Sequence, residues 1–539
     1  MVPLSHCFGK VAIEFSGTSN RSDPVVKVCR LDPFAVWIMS RLLSLPDEVL
    51  KLVMLHVPLK ARLTSCCLVN KKLHAAAVAA TQELHVDGIR KDQAESYMIW
   101  LDHYGQQLTS LTMKCYRAQR LRLPCPNLLE LVLEDVNSVQ LGPAADGDPG
   151  VIHGCTKLTR LKLCYGLIRD EGPIVECLSS LVHLQHLDLQ AVSPVTLCSA
   201  TLPRMQHLTH LNVHSLSADN LLQLGGLTNL QELHLWAALD ILVGPSSAPG
   251  MAFPASLTKL VLVSPIDAAL LFNIPTELRH LELAEVSEGA GEGPALFLPG
   301  MARLQHLTRL HVNGIRMDWP PVGPAYSALT GSSHLVELSM RDAPRGIWAS
   351  LFLAERTLLH LTSLHLYNDL YGDVSLLGLA LDASDVRGLV GCCPNLCAIA
   401  SISLQHGSHV SELHKLTALT RMHVKYGRAG LLMSVEGSMH GLATLTQLKQ
   451  LKGSLGPDVS MGDLLPLTKL TALTEIRMIS RPRSNGQDSD SSSDDSDEED
   501  LSRVVVLLQK YKVSQLSSIC DCCGHSALLM ECGWTCRTF

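Results

Sequence analysis

The most regular feature of the chain is a hydrophobic pattern, L-x-x-L-x-L with Ile, Val or Met standing in for Leu. It reads "LTRLKL" from Leu158, "LQHLDL" from Leu184, "LTHLNV" from Leu208, "LQELHL" from Leu230, "LTKLVL" from Leu257 and "LRHLEL" from Leu278. It goes on as "LTRLHV" from Leu307, "LVELSM" from Leu335, "LTSLHL" from Leu361, "LTRMHV" from Leu419 and "LTEIRM" from Leu473. Weaker copies begin at Leu108, Leu128, Leu396 and Leu445, so fifteen units start between residues 108 and 473, at a mean spacing of about 26 residues. One such hexad means little, because any helix or strand supplies it; fifteen in quasi-register are a repeat. The L-x-L alternation predicts a short strand whose leucines point inward while the residue between them faces out. No unit can bury its own apolar face, so neighbours must stack, strand beside strand about 4.8 Å apart, into a curved parallel sheet with a concave surface.

A different rhythm precedes the repeats. "LLSLPDEVLKLVMLHVPLKARLTSCCLVNKKL", residues 42–73, has the spacing of short helices. Pro46 suits a first helical turn and Asp47 and Glu48 favour its positive end, so a helix is predicted from Pro46 to His56, stopped by Pro58. Val49, Leu50, Val53 and Val57 then share one face. A second segment, Leu59 to Val69, carries Leu59, Leu63, Cys66 and Cys67, and Asn70 caps a third helix from Lys71 through the alanine-rich "HAAAVAA". Helices this short need each other plus a neighbour, or a partner protein, to cover their stripes.

Composition narrows the classes. With 539 residues, 47% hydrophobic and 4% aromatic, the chain is globular and long enough for more than one unit. A net charge of −7, with the acidic excess near the C-terminus, argues against nucleic acid as a partner. No stretch has the roughly 18 uninterrupted apolar residues of a membrane span, and "MVPLSHCFGKVAIEF" lacks a secretory core, so no membrane partner and an intracellular setting, cytoplasmic or nuclear, are expected. The 18 irregularly spaced cysteines fit reduced thiols used as small buried hydrophobes.

The repeats resemble leucine-rich repeat proteins, which implies an α/β solenoid shaped as a horseshoe. The family's Asn or Cys after the strand is mostly absent: Gly166, Val192, Leu216, Ala238, Pro265, Val286 and Ile315 stand there, so the turns must satisfy their backbone groups otherwise. The expectation is an irregular horseshoe with an insertion near 367–394 and loops at 142–150, 244–254 and 289–300. The outward strand positions include Arg160, Lys162, His186, Asp188, His210, Asn212, His234, Glu282, His311, His365 and His423, a mixed, histidine-rich row suited to holding a target protein. A pH-sensing surface and plain occupancy of exposed strand positions both explain the histidines. Strands spread ligands along an edge, so no metal and no cofactor are expected on the repeats, and no nucleotide, zinc-protease, calcium-loop or hydrolase motif occurs.

The helical stretch resembles the F-box. Leu45-Pro46-Asp47-Glu48-Val49-Leu50, then Leu59-Lys60-Ala61-Arg62, then Cys67-Leu68-Val69-Asn70-Lys71-Lys72-Leu73 follow that family's order, with Leu73 where tryptophan is usual. That substitution removes a large aromatic contact of a kind typically among the stronger ones at an interface, so reduced adaptor affinity is expected. The resemblance implies docking onto a Skp-type adaptor on a cullin ubiquitin ligase, with Leu45, Pro46, Val49, Leu50, Val53, Leu59, Leu63 and Val69 contacting or supporting the adaptor. The repeats would then hold the target protein, and the chain itself would be non-catalytic. The alternative is a scaffold, cytoskeletal or axonemal, with the helices serving only as a cap on the solenoid.

The expected organisation is an unassigned extension at 1–40, the F-box at 41–84, repeats at 104–480, an acidic linker at 481–503 and a cysteine-rich tail at 504–539. "DSDSSSDDSDEED", 488–500, reads as a solvated spacer in which Ser491, Ser492 and Ser496 have an acid three residues on, as acidophilic kinases prefer. In the tail, which also holds Cys522 and His525, a zinc knot could draw on Cys520, Cys523, Cys532 and Cys536. Its Cys-x-Cys-Cys start departs from the usual spacing, and a loose reduced tail is the plainer reading.

Overall fold

The computed structural model describes residues 40–55, 71–79, 81–87, 91–114, 123–134, 152, 154–164, 178, 180–190, 202–214, 216, 218–236, 252–287, 297–313, 323–341, 343, 347–353, 356–367, 383–403, 410–425, 440–455, 465–480, 515–519 and 526–528. Leu59, Leu63 and Val69, the loop at 142–150, the acidic tract and every cysteine from Cys520 on lie outside these residues. The chain divides into two compact units, residues 1–214 and 215–539.

In the first unit, Pro46 is the last residue before helix α1 (Asp47–Leu55), and its carbonyl accepts the first helical hydrogen bond from Leu50 N–H at 2.9 Å. Helix α2 (Lys71–Ala79) packs against it through a core of Leu50, Met54, Leu73, Ala76 and Ala77, flanked by Leu42, Leu43 and Leu45. The buried face differs from the one expected. Leu50 and Met54, four apart, point inward; Val53 is half-buried and Val49 is exposed. Leu73 is fully buried. Its side chain is part of the helical domain's own core, so the residue in the usual tryptophan's place packs internally. Lys72 ties α2 to the chain entering α1, its Nζ donating to Leu43 O at 3.0 Å and Leu45 O at 2.8 Å and lying 3.2 Å from Asp47.

Strand β1 (Glu83–Asp87) follows α2 closely, so the sheet begins before residue 104, at the last two residues of the span expected for the helical domain and in the unassigned stretch after it. After helix α3 (Lys91–Tyr104) come β2 (Ser110–Lys114), β3 (Glu130–Glu134), β4 (Arg160–Cys164), β5 (His186–Gln190) and β6 (His210–Val213). All are parallel and in register, so that Leu84, Leu111, Leu131, Leu161, Leu187 and Leu211 form one buried row.

The second unit repeats the plan with helix α4 (Ala218–Gln223), β7 (Glu232–Leu235), β8 (Lys259–Asp267), β9 (His280–Ser287), helix α5 (Phe297–Ala302), β10 (Arg309–Val312), β11 (Glu337–Arg341), helix α6 (Ile347–Leu351), β12 (Ser363–Tyr367), helix α7 (Ala383–Cys392), β13 (Ala398–Ser403), β14 (Arg421–Lys425), β15 (Gln450–Leu455) and β16 (Glu475–Ser480). These strands too are parallel, and the molecule is a leucine-rich repeat solenoid behind a small helical domain. Two expected loops hold helices: α5 begins within 289–300 and α7 lies within the 367–394 insertion. A further parallel strand, β17 (Gln515–Ile519), pairs with β16 and carries an antiparallel neighbour, β18 (Ser526–Leu528), so the stretch assigned to the tail adds to the sheet.

One weak copy is shifted. Leu451, not Leu448, pairs with Met422 and Ile476, so that repeat starts at Leu448. "LTQLKQL" offers both registers, and Leu445 serves instead in the preceding turn, where its carbonyl accepts Leu448 N–H at 2.9 Å. The same turn recurs ahead of strands as Leu181 to Leu184, Leu416 to Leu419 and Leu470 to Leu473.

Gly166, Val192, Ala238 and Ile315 lie outside the described residues. At the strand entrances, backbone carbonyls each take two N–H groups from the next repeat. Leu129 O accepts from Thr159 and Arg160, and Cys397 O from Thr420 and Arg421. Thr109, Thr159, Thr209, Thr258, Thr308, Thr362, Thr420 and Thr474 add their hydroxyls to these carbonyls at 3.0 to 3.4 Å. The position alternates along the chain: between successive threonines stand Leu129, Gln185, Gln231, Arg279, Val336, Cys397 and Lys449. At Pro265 and Val286, where a turn was expected, β8 and β9 simply continue and pair with each other.

Cys125, Cys155, Cys164, Cys392 and Cys393 are free and buried, and Cys397 is free and half-buried. Burial pushes the Cys125 thiol up to about 12 and Cys155 to about 11, so both stay protonated and unreactive. No helix of the described residues is long and apolar enough to cross a membrane.

Candidate functional site

Two surfaces offer themselves. The first is the outer side of α1. At 100° per residue, Val49, Leu52 and Leu55 wind to the side opposite Leu50 and Met54, and they are 42%, 59% and 49% exposed. An apolar stripe left in solvent by a helix whose other face is fully packed marks a contact surface. Of the residues expected at the adaptor, Pro46 and Val49 stand on the exterior, Leu45 and Val53 are half-buried and Leu50 lies in the core, where it supports the helix. Leu52 and Leu55 escaped the sequence reading because the stripe was centred on Val53, which drew Val49 and Leu50 together.

The second surface is the outer face of the strands, where every expected target-binding residue is found exposed or half-buried. At other outward positions of the sheet Val132, Val261, Ala398 and Ala400 are buried, at 8%, 6%, 5% and 7% exposure. In the first unit the register sets Arg160, His186 and His210 in one row and Lys162, Asp188 and Asn212 in the next. Glu134 joins Lys114 at 2.7 Å and Lys162 at 3.2 Å, and Arg160 pairs with Glu130 at 3.2 Å. The hydrogen bond from Lys114 holds the Glu134 carboxyl below the usual carboxylate range. Asp188 goes the other way: burial raises it to about 6 despite Lys162 and Arg160, and its Oδ1 is a buried atom without a hydrogen-bond partner. The His186 and His210 rings stack at 4.1 Å.

In the second unit Glu232 lies 3.5 Å from Lys259 and 3.9 Å from His234. Glu282 of β9 stands opposite His311 of β10, and His280 lies two residues before Glu282 on the same face. One ligand atom from each of His280, Glu282 and His311 falls within 4.8 Å of the others. The expectation that strands keep such donors apart therefore fails at this place. Burial, then the nearby His311, Lys259 and Arg309, lowers His280 to about 4, so this imidazole is neutral between pH 6 and 8, and burial lowers His365 as well. Ser363 Oγ lies 2.6 Å from His365 Nε2, and His423 faces outward on β14.

A second histidine row went unnoticed in the sequence. His183 and His207 stack at 6.4 Å, His306 and His334 at 6.1 Å, and His334 and His360 at 6.2 Å, each one residue before the first leucine of a repeat. The signal was there, as "HL" opening successive units, but only in-register stacking turns it into a row.

Compared with known proteins, residues 42–78 match the F-box domain family. No curated protein matches the chain. Among solved structures, the crystal structure of a TLR13–ssRNA13 complex is similar at 16% identity and a TM-score of 0.37, over 75% of this chain and 69% of that one. So slight a likeness supports no argument, and the repeat assignment rests on the strand register. The chain thus carries an F-box domain at residues 42–78, followed by leucine-rich repeats.

Proposed function

We propose that this protein is the substrate-recognition subunit of a Skp–cullin–F-box ubiquitin ligase, acting in the cytoplasm or nucleus. The observation that carries the reading is the exposed apolar stripe of Val49, Leu52 and Leu55 inside the F-box match. A helix serving only as a cap on the repeats has no use for such a stripe, which is why this reading is preferred to the scaffold. Pro46 and Val49, with Leu59, Leu63 and Val69 of the adjoining segment, complete the adaptor contact, while Leu45, Leu50 and Val53 brace it. The outer strand face, from Arg160 to His423, holds the target. Chemistry belongs to the ligase's other subunits, and this chain supplies proximity, raising the local concentration of target lysines near the charged ubiquitin carrier.

The test is capture by a purified Skp-type adaptor. Leu52→Asp/Leu55→Asp changes only solvent-facing positions, so the variant keeps its helical circular dichroism and loses capture. Undiminished capture by this variant, or none by the wild type, overturns the proposal and favours the scaffold.

A further inference from the structure

The sequence-level expectation of a metal-free repeat surface rested on donors being spread along the strand edge. Among the described residues one place breaks that rule. His280 and Glu282 alternate on the same face of β9, and the parallel register sets His311 of β10 directly opposite Glu282, so the three donors converge within 4.8 Å. The Nε2 atoms of both His280 and His311 are buried without a hydrogen-bond partner. His311 Nε2 does lie 3.3 Å from Glu337 Oε1, a contact too poorly aligned to be a hydrogen bond. Two buried ring nitrogens without partners are costly, and a single cation between them would satisfy both.

We propose that His280, Glu282 and His311 bind one divalent transition-metal ion of the Zn²⁺ class on the outer face of the repeats, with water in the remaining position. This rests on the side-chain geometry alone and is independent of the ligase reading. Two imidazoles and a carboxylate are the donor set that Zn²⁺ and its neighbours in the first transition row prefer, whereas Ca²⁺ and Mg²⁺ demand oxygen throughout. Donors around a tetrahedral Zn²⁺ with bonds of about 2.0–2.1 Å stand about 3.4 Å apart, so the side chains need close by at most about 1.4 Å, within reach of side-chain rotation at these half-buried positions. Nearby cations do not block the site, because each faces a carboxylate: Lys259 lies 3.5 Å from Glu232, and Arg309 Nε is 3.7 Å from Glu337. Glu337, beside His311, is placed to orient that imidazole from outside the ligand set.

The test uses the full-length protein, stripped of metal, titrated with Zn²⁺ against a chromophoric chelator, with Co²⁺ as a spectroscopic stand-in. Wild type is expected to take up an equivalent of Zn²⁺ that His280→Asn/His311→Asn and, separately, Glu282→Gln both lose. The Co²⁺ d–d bands that disappear in these variants should carry no thiolate charge-transfer band, which separates this site from any held by cysteines. His186→Asn/His210→Asn, a stacked pair that forms no converging three-donor group, should leave the equivalent in place. Near-ultraviolet circular dichroism establishes that each variant is folded, and Glu282→Gln, nearly isosteric, guards against loss through misfolding. Unchanged Zn²⁺ uptake by the variants, or no uptake by the wild type, overturns the proposal.

Discussion

Asp188 carries the clearest pH signature of the outer face. Burial raises its carboxyl from the ordinary 3.8 to about 6 in the folded chain, so between those pH values the native state holds a proton that the unfolded chain has lost. Stability contributed by this group therefore falls as pH rises from about 4 to about 6 and stays lower above that range, the opposite of a salt-bridged carboxylate. Asp188→Asn removes the buried charge. The variant should melt at a higher temperature than wild type at pH 7.5, with the gap closing at pH 4; a gap that does not depend on pH would show that burial of Asp188 is not the cause. That Asp188 faces outward was legible from strand alternation, as it was for every position from Arg160 to His423. Which of these residues abut was not legible, because contact depends on the length of each intervening loop. His280 and His311 are separated by a stretch containing a whole helix, and only the register places one diagonally across from the other.

The helical domain shows the same division at the level of elements. Helix α1 was predictable from Pro46, Asp47 and Glu48, and its observed bounds differ from the expected ones by a residue at each end. Its inward face was not predictable, because Val49, Leu50, Leu52, Val53, Met54 and Leu55 leave apolar side chains nearly all round the helix. Hydrophobic periodicity cannot choose an inside when both sides are greasy. The partner helix decides, and α2 brings Leu73 and Ala77 against Leu50 and Met54. This makes a counterintuitive prediction for Leu73→Trp, which restores the residue usual in the family. Since Leu73 is fully enclosed, the larger ring should overpack the core and cost about 1–3 kcal/mol in chemical denaturation. Improved adaptor capture at undiminished stability would mean instead that position 73 reaches the exterior.

Across the whole molecule, stability is distributed along the stack, since each coil touches mainly its neighbours. The carbonyl ladder is what joins coil to coil at the entrance of each strand, and its threonine hydroxyls were hidden in plain view as the "LT" that opens so many repeats. Thr258→Val, Thr308→Val and Thr362→Val should each cost about 0.5–1 kcal/mol, the value of a hydrogen bond near the surface. Separated by an intervening strand, they should add to roughly 1.5–3 kcal/mol in the triple variant. Thr→Ser at the same positions keeps the hydroxyl and should recover most of the loss in urea titrations; equal loss from Ser and Val would assign the effect to packing. The alternation of that hydroxyl also sets the grain of the array. A strand with threonine hands on to one without, so the smallest piece that can be cut out or copied in without breaking phase is a doublet. Lengthening or trimming this protein by design should therefore splice from one threonine coil to the next, as from Thr258 to Thr308, and a graft of odd number would set two like coils side by side.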